Sequence, residues 1–249
     1  MKSLALTLLI VLLCLSSVTF ADDSIDGFVF VGKKTYSCGG QKHTVKEYRH
    51  IETKMDFVLL PGNDKIKPFL MSKYEVPQVI WKSVMGNNPS HFKGLNKPVE
   101  QISWINCQQF CTKTGLSLPT SAQWEYAYRA GTDTLYYWGN EPCRDYMWYS
   151  AKEPTFNRQG ETHPIGQKKP NAFGLYDMSG NVWEWCLDKY EMPRWRIEHE
   201  RKAQRGSWYV FRGGSFYNPA QNCRVVYKFG DAWNYKNADL GFRVCKNIK

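Results

Sequence analysis

The sequence has no C-x-x-C, no H-E-x-x-H and no N-x-S/T sequon, since Asn88-Pro89-Ser90 is closed by its proline. The first two absences remove the closely spaced N/S ligand pairs of a zinc site. The five histidines (His43, His50, His91, His163 and His199) are too far apart in sequence to replace them. The missing sequon favours a bacterial envelope protein over a glycosylated one. Glycine follows no triplet period and no heptad runs for long, which excludes collagen-like and coiled-coil architectures. Beyond residue 21 no apolar run is long enough to span a bilayer.

Acidic residues are also in short supply. Lys and Arg number 33 against 23 Asp and Glu, a formal charge of +10. The basic residues are scattered, and Lys168-Lys169 and Arg201-Lys202 are only pairs. No basic helix with interleaved stacking aromatics is present, so the charge reads as a solvated surface and not as a nucleic-acid interface. It remains compatible with an acidic partner or envelope surface.

What is present is apolar mass. Of 249 residues, 43% are hydrophobic and ten are Trp, enough for one sizeable core and a single domain. The start is a separate segment. Met1-Lys2, the apolar run Leu4 to Leu15 and the small residues Thr19 and Ala21 predict a secretory signal cleaved after Ala21. A lipoprotein using Cys14 is the rival, but bulky Leu12 and Leu13 precede that cysteine. Cleavage removes one Lys and no acid, leaving +9. It also leaves seven cysteines: Cys38, Cys107, Cys111, Cys143, Cys186, Cys223 and Cys245. In an exported chain these are disulfide candidates before they are metal ligands, and an odd number leaves at least one thiol free or paired between chains.

Residues 22–55 read as a small N-terminal extension or edge element, ahead of a domain over 56–249. Phe57–Leu60 before Pro61-Gly62 predicts a strand and turn. Three short helices are expected. One starts at Pro77 and is stopped by Gly86. A second runs from about Ser103 to Thr114, closed by Gly115, with Cys107 and Cys111 on one face. The third opens with the capping box Thr120-Ser121-Ala122-Gln123 and ends at Gly131. After that, Gly, Asn, Pro and aromatics alternate without a helical period. Short strands are expected at Val182–Trp185, Trp208–Arg212 and Gly241–Cys245.

Several motifs stand in order: Lys73-Tyr74-Glu75-Val76-Pro77-Gln78, Met85-Gly86-Asn87-Asn88-Pro89-Ser90, Leu118-Pro119-Thr120 with Trp124-Glu125-Tyr126-Ala127, and Thr162-His163-Pro164-Ile165-Gly166. The densest is Asn171-Ala172-Phe173-Gly174-Leu175-Tyr176-Asp177-Met178-Ser179-Gly180-Asn181-Val182-Trp183-Glu184-Trp185; Arg212-Gly213-Gly214-Ser215 and Gly241-Phe242-Arg243 follow. This order resembles the formylglycine-generating enzyme, or sulfatase-modifying factor, family over about residues 55–245. The resemblance implies a single irregular α+β domain of C-type-lectin-like fold, with few short helices and strands.

Asp177 and Glu184 offer two carboxylates, with carbonyls between them, on a tight turn; oxygen-only donors of this kind suit calcium. The resemblance places a calcium ion here, held by the Asp177 and Glu184 side chains and the Gly180 and Val182 carbonyls. The alternative is that Asp177 caps the turn and Glu184 pairs with a cation such as Arg243. The family's copper(I) oxidases use two cysteines shortly after Gly-Gly-Ser. Counted forward from Ser215, the first position here is Asn218 and the second is Cys223; counted back from Gly241, Cys223 matches neither. Either way the thiolate pair that copper(I) requires is absent from the sequence, and Cys223 is left as the one candidate reactive thiol. Its alternative is a disulfide to Cys186. The resemblance also implies a bridge from Cys111 to the C-terminal strand, with Cys107 or Cys111 facing Cys245. Trp183 and Ser215 match positions near the family's peptide groove, with Asn218 a further candidate for its lining, against core packing for Trp183 and turn bonding for Ser215.

The reading is a non-copper binding or regulatory module of the cell envelope, a pseudoenzyme with a protein or peptide partner, no nucleic acid and no stable membrane span. The alternative is an oxidoreductase acting on a peptide or small molecule, as in formylglycine generation or siderophore maturation. The oligomeric state is left open.

Overall fold

A computed structural model describes residues 23–150, 160–191 and 207–248. The expected signal segment, Cys14, His199 and the Arg201-Lys202 pair lie outside the described residues.

The chain opens with two long strands, β1 (Phe28–Cys38) and β2 (Gln41–His50), joined by Gly39-Gly40. Both glycines have positive φ (59° and 76°), as a two-residue hairpin turn requires. An added Cβ on Gly39 would also fall 2.4 Å from the Tyr137 carbonyl oxygen. β3 (Asp56–Leu60) and β4 (Phe69–Ser72) follow. With β9 (Cys245–Asn247) they make a five-stranded antiparallel sheet in the order β1-β2-β3-β4-β9. Residues 28–50 are therefore continuous with the domain's sheet, and β1 is its outer edge. Lys73 Nζ reaches Glu47 Oε1 (2.7 Å) and the Tyr36 hydroxyl (3.0 Å), tying the hairpin to the chain just after β4.

The three helices are α1 (Gln78–Met85), α2 (Trp104–Thr114) and α3 (Ser121–Arg129). Pro77 is the extended residue before α1 and not its first helical position. Thr120 accepts from the Gln123 N–H, and the Gln123 side chain accepts from the Thr120 N–H, so the predicted capping box is formed. A second box, Ser103 with Asn106, opens α2 and was not anticipated because Asn stands where Glu or Gln is usual. α3 ends one residue earlier than expected, with Ala130 taking the left-handed conformation at φ 45°.

The second sheet holds β5 (Trp183–Lys189), β6 (Trp208–Arg212), β7 (Lys228–Ala232) and β8 (Leu240–Gly241), in the order β7-β6-β5-β8. The expected strand at Gly241–Cys245 is two strands in different sheets. The chain leaves β8, the Phe242 carbonyl accepting from the Val76 N–H and the Val244 carbonyl from the Ser72 N–H, and enters β9. One core collects Trp81, Phe110, Trp185 and Phe242; another collects Trp124, Tyr128, Leu175 and Met178. Among the described residues no helix is long and apolar enough to cross a membrane.

Candidate functional site

The densest sequence motif folds as a buried polar turn. Asp177 and Asn181 both take positive φ (54° and 58°), unusual for residues other than glycine. Hydrogen bonds hold them there. Asn181 Nδ2 donates to Glu75 Oε2 (2.7 Å), and the Val182 N–H donates to Glu75 Oε1 (3.2 Å). Asn181 Oδ1 accepts from the His163 N–H, and Asp177 Oδ2 accepts from the Gly166 N–H (2.6 Å). Asp177 Oδ1 is buried with no hydrogen-bond partner. Burial first, and then its acidic neighbours Asp177 and Glu184, push the Glu75 carboxyl well above the usual range. Burial pushes Asp177 up to about 6.

Glu184 is differently placed. Arg243 Nε donates to its Oε2 and Arg243 NH2 to its Oε1, both at 2.7 Å, and Trp124 Nε1 donates to Oε2 at 2.6 Å. The four-residue set expected for calcium therefore fits in one half only. Asp177 offers an open oxygen, whereas both Glu184 oxygens face N–H donors and are not oriented toward an ion. Among the described residues no three His, Cys, Asp or Glu converge as a metal site. As folded, Glu184 is turned to Arg243 and Trp124, and of the two carboxylates only Asp177 keeps an open oxygen.

The Arg212-Gly213-Gly214-Ser215 turn lies against this motif, with the Gly180 N–H bonded to the Gly213 carbonyl and the Phe216 N–H to the Asn181 carbonyl, each 2.9 Å. Arg212 braces the turn by donating to the Val225 carbonyl (2.9 Å) and to Glu125. Cys223 lies beneath Gly214, so close that a Cβ on that glycine would fall 2.5 Å from Sγ. The thiol is fully buried, and burial pushes it up to about 12. A protonated, enclosed thiol is a poor nucleophile and a poor metal ligand.

The expected Cys186–Cys223 bridge is not formed, and all seven described cysteines are thiols. The two belong to different clusters. Cys223 packs with Tyr136 and Met147, and Cys186 shares its cluster with Cys245. Cys107 and Cys111 lie on the buried face of α2, and burial first, then the neighbouring Cys111 thiol, push both Cys107 and Cys245 toward the neutral form.

An open cleft of about 260 Å³ lies where the second sheet meets these turns. Trp183 from β5, Phe211 from β6, Phe229 from β7 and Leu240 from β8 form its base and walls. Tyr217, Asn218, Asn222, Tyr227, Tyr235, Asn237 and Asp239 close it from the loops. A second cleft of about 350 Å³, lined also by His91, Phe92 and Phe216, shares Tyr217, Asn237 and Asp239 with the first. Of the residues that the sequence suggested, Trp183 and Asn218 line the cleft. Ser215 lies beneath, its hydroxyl 2.8 Å from Asp239 Oδ2 and 2.7 Å from Asn218 Oδ1. One hydroxyl proton serves one of these oxygens at a time. Cys223 is not on the cleft, although its neighbour Asn222 is. Sequence reasoning missed Phe211, Tyr227, Phe229, Tyr235, Asn237 and Asp239. Phe229, on the strand paired with Phe211, and Tyr227 two residues ahead of it were the signal available.

Residues 25–248 match the sulfatase-modifying factor enzyme 1-like domain. The chain belongs to the sulfatase-modifying factor family. It is 33% identical over 202 residues to the formylglycine-generating enzyme of Thermomonospora curvata, covering 74% of this chain and 66% of that protein. It is 31% identical over 197 residues to the inactive C-alpha-formylglycine-generating enzyme 2 of Mus musculus, covering 76% and 62%. The chain thus spans slightly under two thirds of these two relatives. It is 27% identical over 242 residues to the chaperone protein LppX of Paenibacillus barcinonensis, covering 74% and 82%. Among solved structures, Treponema denticola variable protein 1 superposes with a TM-score of 0.59 at 27% identity, covering 87% of this chain and 99% of that one. PvdO from Pseudomonas aeruginosa gives 0.59 at 20%, covering 89% and 94%. The fold is the mixed helix and strand, C-type-lectin-like architecture of this family.

Proposed function

We propose that the chain is an exported, non-copper member of its family that works by binding, and that its working surface is the aromatic cleft over Trp183. The supporting observation is a division within one turn region. The residues at the expected groove positions, Trp183 and Asn218, open onto a cleft, while the nearby thiol, Cys223, is sealed beneath Gly214. A binding surface persists there without a thiol able to hold copper(I). The partner is a protein or peptide of the cell envelope.

Two measurements test this. The mature protein, supplied with copper(I), O₂ and a cysteine peptide of sulfatase type, should yield no aldehyde. Affinity capture of one reproducible partner from envelope extract should be lost in Asn218→Trp, which fills the cleft, and kept in Cys223→Ala. Copper-dependent aldehyde formation that disappears in Cys223→Ala would sink the proposal.

A further inference from the structure

The turn from Gly94 to Lys97 holds a leucine out in water. The Lys97 N–H donates to the Gly94 carbonyl (3.0 Å). The carbonyls of Leu95, Asn96 and Lys97 accept in turn from the N–H groups of Val79 (3.0 Å), Ile165 (2.9 Å) and Gln78 (2.9 Å). The Gln78 side chain, buried at the start of α1, pins the base of the turn. Its Oε1 accepts from the Gly94 N–H (3.1 Å) and its Nε2 donates to the Phe92 carbonyl (2.8 Å). A backbone bonded at every carbonyl has little freedom to fold its side chains back onto the core, and Leu95 stands 70% exposed.

Leu95 does not stand alone. Val79, which donates to its carbonyl from the first turn of α1, is also exposed. Val79 borders a cleft of about 190 Å³ with Met55, Pro77, Ile80 and Ile165. The turn that brings Lys54 to the rim of this cleft carries Ile51, 52% exposed. Single exposed apolar residues need no explanation, but a fixed apolar knob beside an open apolar cleft makes a continuous patch. This cleft shares no lining residue with the two at the second sheet.

The charge around the patch is unbalanced. Lys54, and Lys82 one turn along α1 from Val79, are exposed and have no ion-pair partner among the described residues. Lys93 Nζ donates to the Asn88 carbonyl (2.9 Å), a contact that leaves its charge uncompensated. The nearby acids are mostly engaged. Asp56 is held by Arg49 and Glu161 by Lys97, each at 2.8 Å, and the Glu75 carboxyl is turned inward to Asn181. Glu52 alone stands against the three lysines.

We propose that this face, centred on Leu95 and Val79, docks the protein on an anionic lipid surface. Exposed apolar side chains among ammonium groups suit the headgroup region of a bilayer, where the apolar groups enter and the lysines meet phosphates. A bilayer yields to a protruding leucine and needs no matching pocket. A second copy of the chain would instead bring three lysines against three lysines, with one Glu52 on each side to offset them. The proposal stands independently of the aromatic cleft, which is built from other residues.

The test is cosedimentation of the mature protein with phosphatidylcholine vesicles, alone and mixed in equal parts with phosphatidylglycerol. Partition into the anionic vesicles should exceed that into the neutral ones by about tenfold or more and should fall as salt is added. Leu95→Asn should weaken it by about tenfold, and Lys54→Gln or Lys82→Gln by about fivefold each. The double variant Lys65→Gln, Lys67→Gln removes two exposed lysines from a different cleft and should cost less than either. Melting temperatures check that each variant is folded, which the exposure of all five side chains favours. No binding to anionic vesicles, equal binding to neutral ones, or losses at Leu95 and Lys54 no greater than for the Lys65 and Lys67 pair each overturns the proposal. A dimer in equilibrium sedimentation that Leu95→Asn dissociates would assign the face to a second copy and overturn it as well.

Discussion

Arg243 grips Glu184 in a two-pronged contact, 2.7 Å on each prong, with both side chains almost wholly out of solvent. The same guanidinium donates to the carbonyls of Ser72 and Tyr176, so one side chain ties the first sheet, the Asp177 turn and β5 together. Breaking such a buried pair leaves an uncompensated charge and costs about 3–5 kcal/mol. Arg243→Met should lower the urea midpoint accordingly, and adding Glu184→Gln should recover part of the loss, because the stranded carboxylate is then gone. Because Arg243 and Trp124 already satisfy Glu184, EGTA should move the melting temperature less than Arg243→Met does. A larger EGTA shift would show that an ion, and not the guanidinium, neutralises this carboxylate.

Thiol reactivity should follow enclosure. Cys223, Cys186, Cys107 and Cys245 are fully buried, while Cys143 is half-buried. A disulfide reagent added to folded, reduced protein should label Cys143 first, and Cys143→Ser should remove that fast phase. Cys223 should react only as fast as the protein unfolds. Rapid labelling of Cys223 in the native state would contradict its position beneath Gly214.

Glu47 gives the molecule an acid-sensitive clasp. Burial works to raise its carboxyl, but the hydrogen bonds from Lys73 and Tyr36 outweigh this and hold it below its ordinary range. A carboxyl depressed by folding contributes stability above its unfolded pKa and loses it as the pH falls through the folded one. Glu47→Gln should therefore be less stable than the parent near neutral pH, and the two denaturation midpoints should converge as the pH drops below the ordinary carboxylate range. A gap that stays constant with pH would place the contribution in packing and not in charge.

Local chemistry was legible in the sequence where a single segment decides the outcome. Thr120 and Gln123 close their box within one turn, and Gly86 and Gly115 stop their helices by conformations that need no distant partner. The densest motif was legible as a tight turn, and Asp177, Gly180 and Asn181 all take positive φ there. What failed depended on remote neighbours. β1 carries polar or exposed residues along most of its length, being an edge, so the alternation that marks a half-buried strand is weak. Gly241 to Cys245 reads as one strand because nothing in Phe242-Arg243-Val244 announces a change of sheet. Glu184 reads as a calcium ligand or an Arg partner equally well until Arg243, 59 residues on, is brought beside it. The cleft needed Phe211 of β6 together with Tyr227 and Tyr235, which flank β7, and only the pairing of β6 with β7 assembles them.

The crossing from β8 to β9 has a consequence for the order of events during synthesis. Residues 240–247 supply one strand to each sheet and, through Arg243, the cation between them. Until that stretch has left the ribosome, neither sheet has its final neighbour and Glu184 has no counter-charge. A nascent chain of this design completes both sheets only when residues 240–247 arrive, so its partly formed sheets leave apolar surface uncovered until then.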